Sequence, residues 1–376
     1  MKVIRFRITA LLAVLCGTGM VQSKAQDINV VTTAVPFLRI SPDARAGGMG
    51  DAGIATAPDA NSSFWNQAKL PFAPVKSGIS ATYTPWLSDI TSDVYLASLA
   101  GYYQIDDEQA LSSSIRYFNL GSIQFTNING DRLGTSDPRE FAFDMGYTRR
   151  LSKQTSLGLA LRYINSRLAN GDVNGSGVSY KPGNAFGADI SFFYNGIDET
   201  GAGFTGGAVL SNLGTKISYT NNANAKDYIP ANLGVGVGYT WAFDEDSKLT
   251  LAADINKLLV PALPKAPTSQ DIDDYYTRGV FESWFKSFGG DNGGFKSLQI
   301  SGGAEYAYVN QFFARAGYYY EDKSQGGRRY LTMGVGFKYN AIHANFSYLI
   351  PSGSGVTRNP LSNTLRLGIG FDLVKE

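Results

Sequence analysis

The chain of 376 residues contains one cysteine and one histidine, which leaves few side chains for catalysis. Cys16 lies in an N-terminal segment that we expect to be removed, so the mature chain has no disulfide, thiolate metal site or cysteine nucleophile. His343 shares a strand face with Ser347, but four strand residues span about 13 Å, too far for a hydrogen-bonded nucleophile and base. The sequence therefore predicts a protein that is not an enzyme and has no cofactor or metal site.

Charge and long apolar runs are also scarce. Only 17% of the residues are charged, and the 33 basic and 32 acidic residues nearly balance. Four of the basic residues fall within residues 1–25, so the rest of the chain has 29 basic and 32 acidic residues. This balance offers no concentrated basic face, which excludes nucleic acid as an expected partner. Beyond the N-terminal segment, no apolar run approaches the roughly 18 residues of a membrane-spanning helix.

The first 25 residues have the three parts of a secretory signal peptide. Lys2, Arg5 and Arg7 precede an apolar core at residues 8–15, and small residues surround a cleavage point after Ala25. The sequence thus predicts an exported protein that loses this segment.

Glycine, tyrosine and phenylalanine are abundant, with 43, 22 and 22 residues. From residue 75 onward the hydrophobic pattern has a period of two. In residues 365–373, for example, large apolar residues occupy every second position, and Arg, Gly, Gly and Asp fill the positions between them. A strand with one apolar face and one polar or small face suits a transmembrane barrel, where one face meets lipid and the other meets the lumen.

Short and long connections alternate between these segments, as in outer-membrane barrels. We predict an all-β fold, a transmembrane antiparallel up-and-down β-barrel of about 14 strands within residues 75–376. The even strand number predicts that both termini are periplasmic, together with the short turns, in a bacterial outer membrane. The predicted strands are 75–87, 91–105, 109–121, 137–150, 154–167, 184–196, 201–212, 229–243, 248–257, 297–308, 311–322, 328–340, 342–351 and 361–374.

Residues 26–74 precede the strands and have a different composition. From position 36 they read PFLRISPDARAGGMGDAGIATAPDANSSFWNQAKL, in which glycines permit tight turns and charges alternate in sign. Such charges fit a polar barrel wall better than hydrocarbon. We therefore predict an N-terminal plug inside the lumen, and the alternative is a disordered export linker. The predicted plug residues are Arg39, Asp43, Arg45, Asp51 and Asn66.

The longest predicted connection, 258–296, is rich in aromatic residues. Tyr276, Val280, Trp284 and Phe288 recur every four residues, which predicts one apolar face on a short helix. Such a face either binds a partner or folds over the barrel mouth as a lid, and both interpretations stay open. The candidate partner-binding residues are Tyr276, Phe281, Trp284, Phe285 and Phe288.

The plug segment resembles the N-terminal signature of the PorV family, also called LptO, of the type IX secretion system. It is more distantly similar to the FadL family of fatty-acid transporters, whose plug ends in a motif of the form N-P-A-x-L. Asn66, Ala68 and Leu70 match that motif, while Gln67 replaces the proline. This departure weakens the relation to hydrophobic-compound transport more than the relation to PorV.

The resemblance implies a FadL-like barrel that acts as a carrier and adaptor in protein secretion. Its expected partners are a secretion translocon barrel, secreted proteins with C-terminal signal domains, a surface attachment complex with a sortase-like enzyme, and outer-membrane lipids. The alternative is a FadL-type transporter of a hydrophobic small molecule, which needs an apolar pocket under the plug and a gap in one strand. Inward positions rich in Gly, Thr and charge do not favour such a pocket.

Overall fold

The computed structural model describes residues 31–86, 91–127, 129–172, 177–221, 226–264, 266–289, 297–322, 325–352 and 364–374. Fourteen antiparallel strands form one closed barrel, which confirms the predicted fold class. The predicted signal peptide lies outside the described residues. The barrel strands are β1 Ser77–Pro85, β2 Val94–Gln104, β3 Gln109–Leu120, β6 Arg139–Arg150, β7 Thr155–Arg167, β8 Gly183–Ile197, β9 Gly203–Gly214, β10 Asn232–Ala242, β11 Ser247–Leu258, β12 Leu298–Tyr308, β13 Phe312–Glu321, β14 Arg329–Tyr339, β15 Ile342–Pro351 and β16 Leu365–Val374.

The barrel closes through pairing of its first and last strands. Each other strand pairs with its neighbours in sequence, and β1 pairs with both β2 and β16. Ser77, the first residue of β1, lies opposite Val374, the last residue of β16. The barrel therefore begins and ends on the side of the short turns, as an even strand number requires.

Alternation along each strand separates the outer face from the lumen. In β16, Leu373 is 62% exposed on the outer face whereas Arg366 is 3% exposed on the inner face. Trp86 and Trp241 lie near strand ends, where an aromatic belt is expected. Trp241 is exposed beside Tyr239, with ring centroids 4.5 Å apart, and fits such a belt. Trp86 instead packs edge-on against Phe118 in the lumen and does not belong to it. Trp86 follows the last residue of β1, so the alternation of inward and outward side chains along the strand no longer determines where the Trp86 side chain points.

One connection contains structure that the period-two pattern did not reveal. A separate two-stranded hairpin forms between β3 and β6, from β4 Ile123–Thr126 and β5 Arg132–Ser136. The segment was predicted to be a loop because it lacks alternating large apolar residues. The connection between β11 and β12 contains two helices, Ser269–Thr277 and Val280–Lys286. In the described part of the chain, no helix has the length and apolar character needed to span a membrane.

The segment before β1 runs through the lumen along the barrel axis. Its elements are the 3-10 helix Pro36–Arg39, the helices Ala44–Gly47 and Ser62–Trp65, and the 3-10 helix Gln67–Phe72. At the short-turn end, the Tyr102 hydroxyl donates to the carbonyl oxygen of Val75 at 2.9 Å.

The other end of this segment lies where the long connections are. Val31 packs against Tyr228 and Leu258, which lie in or next to two of these connections. Val31, the first described residue, therefore lies on the long-loop side, whereas both termini were predicted to lie on the short-turn side. The parity of the strands locates only the ends of the barrel, and the plug crosses the lumen before β1 begins.

Candidate functional site

The plug backbone lies directly against glycines of the barrel wall. Inward-facing Gly303 and Gly317 are paired across β12 and β13, and a methyl group on either would overlap the backbone at Met49 and Gly50. Gly50 itself has a φ of +67°, and its own Cβ would lie 2.6 Å from the amide nitrogen of Tyr318. The tight fit therefore needs glycine on both surfaces, and it leaves no room for passage on this side of the lumen.

Buried ion pairs join the plug to the same half of the barrel. One edge of the Arg45 guanidinium contacts both carboxylate oxygens of Glu305, with Nε 3.0 Å from Oε2 and Nη2 2.8 Å from Oε1. Glu305 also accepts from Nε of Arg315 at 2.6 Å, and Arg45 reaches Asp59 of the plug at 3.0 Å. Each buried charge has a charged partner, which offsets the cost of removing it from water.

Two further predicted plug residues contact the wall through charge. Asp51 accepts from the Tyr330 hydroxyl at 2.6 Å and from Nη1 of Arg366 at 3.1 Å. Arg39 donates to Glu321 at 3.3 Å. The structure thus places Arg39, Arg45 and Asp51 on wall charges of β12, β13 and β16, and on Tyr330 of β14.

Asp43 acts within the plug, whereas Asn66 bonds to both the plug and the wall. Asp43 caps the helix Ala44–Gly47, because Oδ1 accepts from the amide of Ala46 at 2.7 Å, and its other oxygen accepts from the Trp65 indole. Asn66 Nδ2 donates to the carbonyl oxygen of Ile54 at 3.1 Å and to that of Phe192 in β8 at 3.0 Å.

Gln67, which replaces the motif proline, is accommodated by the wall. Its Oε1 accepts from the Ser112 hydroxyl at 3.3 Å, and a methyl group on Gly146 would overlap that oxygen. The Thr148 hydroxyl donates to the Gln67 carbonyl oxygen at 3.2 Å. The wall therefore pairs with the side-chain oxygen and the backbone carbonyl of Gln67.

The spaces that remain around the plug are small, and their linings mix polar and apolar groups. A cavity of about 120 Å³ lies on the long-loop side, and polar groups including Arg39, Asp51 and Asn212 contribute to its lining. A second cavity of about 90 Å³ lies on the short-turn side, beside Asp59, Lys338 and Asp372. His343 belongs to this second lining, with Nε2 2.9 Å from Asp372. Among the described residues, no cluster of His, Cys, Asp and Glu suits a metal ion.

The helices of the long connection are held by a cap at one end and lysines at the other. Thr268 and Asp271 form a reciprocal capping box at the start of the first helix. At its C-terminal end, Lys216 Nζ donates to the carbonyl oxygens of Tyr276 at 2.9 Å and Tyr275 at 3.3 Å. Lys257 Nζ donates to the carbonyl oxygen of Ser287, after the second helix, at 2.9 Å. Lysines thus satisfy carbonyl groups that the helices leave unpaired.

The first of these helices packs onto the barrel. Tyr275 is buried, and Tyr276 and Val280 cover a cluster that includes Tyr228 and Leu258. Burial, with the nearby Arg278, lowers the pKa of Lys216 to about 8. Tyr276 therefore belongs to the part of the loop that folds over the barrel, as in the lid interpretation.

The second helix presents aromatic side chains to the outside. Phe281, Phe285 and Phe288 are 66%, 67% and 52% exposed, and Trp284 is half-buried. Phe281 lies 5.3 Å from Phe285 and 5.6 Å from Trp284, measured between ring centroids. We call Phe281, Trp284, Phe285 and Phe288 the aromatic loop cluster. The predicted single apolar face is interrupted, because the first helix ends at Thr277 and the second begins at Val280.

Sequence reasoning missed the wall partners of the plug and the lysines that hold the loop. The available signal was a charged residue at an inward, otherwise polar strand position. Glu305, Arg315 and Arg366 all lie at such positions. Which plug residue each one meets depends on barrel closure, as for Arg45 and Glu305, which are 260 residues apart in sequence.

Comparison with known families identifies the group to which this plugged barrel belongs. The family model for the type IX secretion system protein PorV matches residues 23–265, or 243 of the 376 residues. The chain belongs to the PorV family. The match includes the plug and strands β1 to β11, and the aromatic loop cluster lies beyond its end. PorV membership and the barrel together indicate an outer-membrane protein of type IX secretion.

Solved structures show the same architecture at low sequence identity. The Pseudomonas putida toluene transporter TodX gives a TM-score of 0.52 at 13% identity, covering 88% of this chain and 96% of that chain. The monoaromatic hydrocarbon channel CymD gives 0.50 at 11% identity, covering 89% and 98%. A Pseudomonas aeruginosa FadL homologue gives 0.49 at 11% identity, covering 91% and 99%. The likeness to TodX and CymD establishes a FadL-like barrel fold for this PorV-family chain. No curated protein matches it.

Proposed function

We propose that this PorV-family barrel is a non-enzymatic carrier and adaptor of the type IX secretion system. In this proposal it binds the translocon barrel and secreted proteins with C-terminal signal domains, and delivers the latter to a surface attachment complex with a sortase-like enzyme. The long connections face outward and the short turns face the periplasm. The observation that carries the proposal is an exposed aromatic surface on a barrel whose lumen is filled.

The filled lumen favours a role at the surface over passage of a solute. Wall glycines meet the plug backbone at Met49 and Gly50, and Glu305 holds Arg45 through two hydrogen bonds. Moving the plug would separate Arg45 from Glu305 and break this buried ion pair, which would leave Glu305 with Arg315 as its remaining charged partner. A protein client handled at the loops requires no such movement.

The aromatic loop cluster has the composition of a protein-docking surface. Phe281 and Phe285 project from a helix whose C-terminal end is held by Lys257, so little backbone freedom is lost when a partner covers them. Aromatic anchors of this kind dominate binding at many interfaces. Burial of each phenylalanine side chain contributes about 1.5 to 3 kcal/mol.

The experiment is recovery of secreted clients with the tagged barrel after replacement of Phe281 and Phe285 by alanine. We expect recovery to fall at least tenfold, because each tenfold corresponds to about 1.4 kcal/mol. Phe243→Ala is the matched control, since Phe243 is 64% exposed in the turn after β10, at the opposite end of the barrel. Equal client recovery from the double variant and the control, with both barrels intact, would contradict the proposal.

The alternative function, transport of a hydrophobic small molecule, is supported by the likeness to TodX. Against it, the cavities have polar groups in their linings, and all fourteen barrel strands pair with their neighbours in the described residues. The bulge between β8 and β9 is filled by Asp189, which accepts from the Asn212 amide at 2.7 Å and lies 2.8 Å from Arg162. Native mass spectrometry that detects a bound apolar ligand and no client would favour the transporter.

A further inference from the structure

The first described residues of the plug lie among the loop helices. Val31 packs against the cluster formed by Tyr228, Leu258, Val260 and Tyr275. The amide of Ala34 donates to the carbonyl oxygen of Tyr228 at 3.0 Å. We call residues 31–35 the strap, because they connect the plug in the lumen with the helices above it.

The strap ends at a residue with an unusual backbone conformation. Val35 is buried and has φ +48° and ψ +52°, in the left-handed region that β-branched residues rarely adopt. Such a conformation persists only where the surrounding contacts impose it. On one side, Phe37 is buried in the lumen and stacks on Phe118 with centroids 6.4 Å apart. On the other side, Tyr228 holds Ala34, so Val35 is fixed between two anchors.

Tyr228 links the strap to the aromatic loop cluster. Its hydroxyl lies 3.1 Å from the carbonyl oxygens of both Tyr275 and Arg278, which share its single proton. Arg278 lies at the junction between the two helices, just before the helix that contains Phe281 and Phe285. A continuous series of contacts therefore runs from the plug through Val35 and Tyr228 to the helix junction.

We propose that the strap positions the aromatic loop cluster, so that the plug and the partner-binding surface form one coupled unit. This inference rests on the proposed function for the identity of the partner and adds how its binding surface is regulated. A partner that displaces the loop helices alters the contacts that hold Val35, and a loosened plug alters the presentation of Phe281. By thermodynamic linkage, the free energy by which partner binding loosens the plug equals the free energy by which loosening of the plug changes partner binding.

The first test introduces a charge into the strap contact and compares it with a neighbouring position. Val31→Asp places a carboxylate in the apolar cluster, whereas Thr32→Asp changes an exposed residue. Hydrogen exchange by mass spectrometry is followed in residues 269–288, in residues 36–50 and in the strands. We expect at least tenfold faster exchange in residues 269–288 for Val31→Asp only, with strand protection unchanged. Equal exchange in the two variants would overturn the proposal.

The second test perturbs the same contacts from the loop side. Tyr228→Phe removes the hydroxyl that joins the helices and keeps the ring. Coupling predicts faster exchange in plug residues 36–50 of this variant, whereas a purely local effect confined to the loop contradicts it. A matched variant, Tyr219→Phe, removes a hydroxyl that donates to Ser166 and should leave exchange in residues 36–50 unchanged.

Client recovery separates failure of the strap from failure of the proposed function. If the strap positions the cluster, Val31→Asp loses client recovery and Val31→Ile retains it. Unchanged recovery in Val31→Asp, together with loss in the Phe281 and Phe285 double variant, overturns the strap and keeps the carrier function. Coupled exchange with full recovery from the double variant overturns the carrier function and keeps the coupling of plug and loop.

Discussion

At the scale of single residues, wall glycines decide how closely the plug fits. Gly303 and Gly317 face inward beside the plug backbone, where a methyl group would require Met49 or Gly50 to shift. Gly302, one position along β12, faces outward, and a methyl group there meets no atom within 4 Å. Contact with the plug thus excludes a side chain at Gly303, whereas the space around Gly302 would admit one.

We predict that Gly303→Ala loosens the plug, and Gly302→Ala is the control. Overpacking of this kind costs about 1 to 3 kcal/mol. The temperature at which the folded barrel loses its fast migration in denaturing gels should fall for Gly303→Ala and stay within error for Gly302→Ala. A fall of equal size in both variants would show that strand propensity, and not the plug contact, determines the effect.

At the scale of elements, the loop helices depend on Lys216 from the connection after β9 and on Lys257 from strand β11. Lys216 and Lys257 approach the C-terminal carbonyl groups, and the partial negative charge there favours a cation. Burial opposes the charge on Lys216 and lowers its pKa from 10.5 to about 8. Between these two pH values the packed loop binds fewer protons than the opened loop.

A pH dependence of loop packing follows. Because the opened loop binds more protons, packing of wild-type loop gains stability as pH rises from about 8 towards 10.5. We predict that cleavage of the loop by proteinase K, relative to Lys216→Met, is slower at pH 9.5 than at pH 7.5. The variant corrects for the protease's own pH dependence. Faster cleavage at pH 9.5 than at pH 7.5, relative to Lys216→Met, would contradict the prediction. It would mean that the hydrogen bonds donated by the Lys216 ammonium group stabilise the packed loop more than burial of the charge destabilises it.

The elements also show which parts of the fold are readable from sequence. Strand β8 was predicted at 184–196 and spans Gly183–Ile197, because lipid on one face and lumen on the other impose a strict period of two. The hairpin β4–β5 has no lipid contact to impose that period and was missed. The break at Gly279 between the loop helices was missed as well, because the four-residue recurrence continues across it.

At the scale of the whole molecule, the plug is held unevenly. Charged contacts join it to β12, β13 and β16, through Glu305, Glu321 and Arg366. Towards β3, β6 and β8, the contacts are hydrogen bonds to uncharged plug groups, such as Gln67 with Ser112 and Asn66 with Phe192, and Arg116 of β3 donates to the Leu38 carbonyl oxygen. In the described residues, one half of the wall therefore holds the plug mainly by ion pairs, while the other holds it by hydrogen bonds to uncharged plug groups.

Glu305→Gln tests the charged half. It leaves Arg45 and Arg315 buried without their shared carboxylate, a change that typically costs about 3 to 5 kcal/mol. Glu108→Gln breaks an exposed pair with Arg149, and such pairs contribute about 0 to 1 kcal/mol. We predict that cells with Glu305→Gln take up a large antibiotic such as vancomycin faster than cells with Glu108→Gln. Equal uptake at equal barrel abundance would show that the plug stays in place without this ion pair.

The seam between β1 and β16 has a consequence for biogenesis. The plug lies between the predicted signal peptide and β1. Wall groups hold it on several sides, and the close contacts leave no space for it to slide past them. Pairing of Ser77 with Val374 joins the two ends of the barrel sequence and completes the wall. The plug could enter a closed barrel only if the pairing between β1 and β16 opened. Assembly therefore favours a nascent sheet that wraps around the plug, which makes residues 31–74 a template for the last strand to dock.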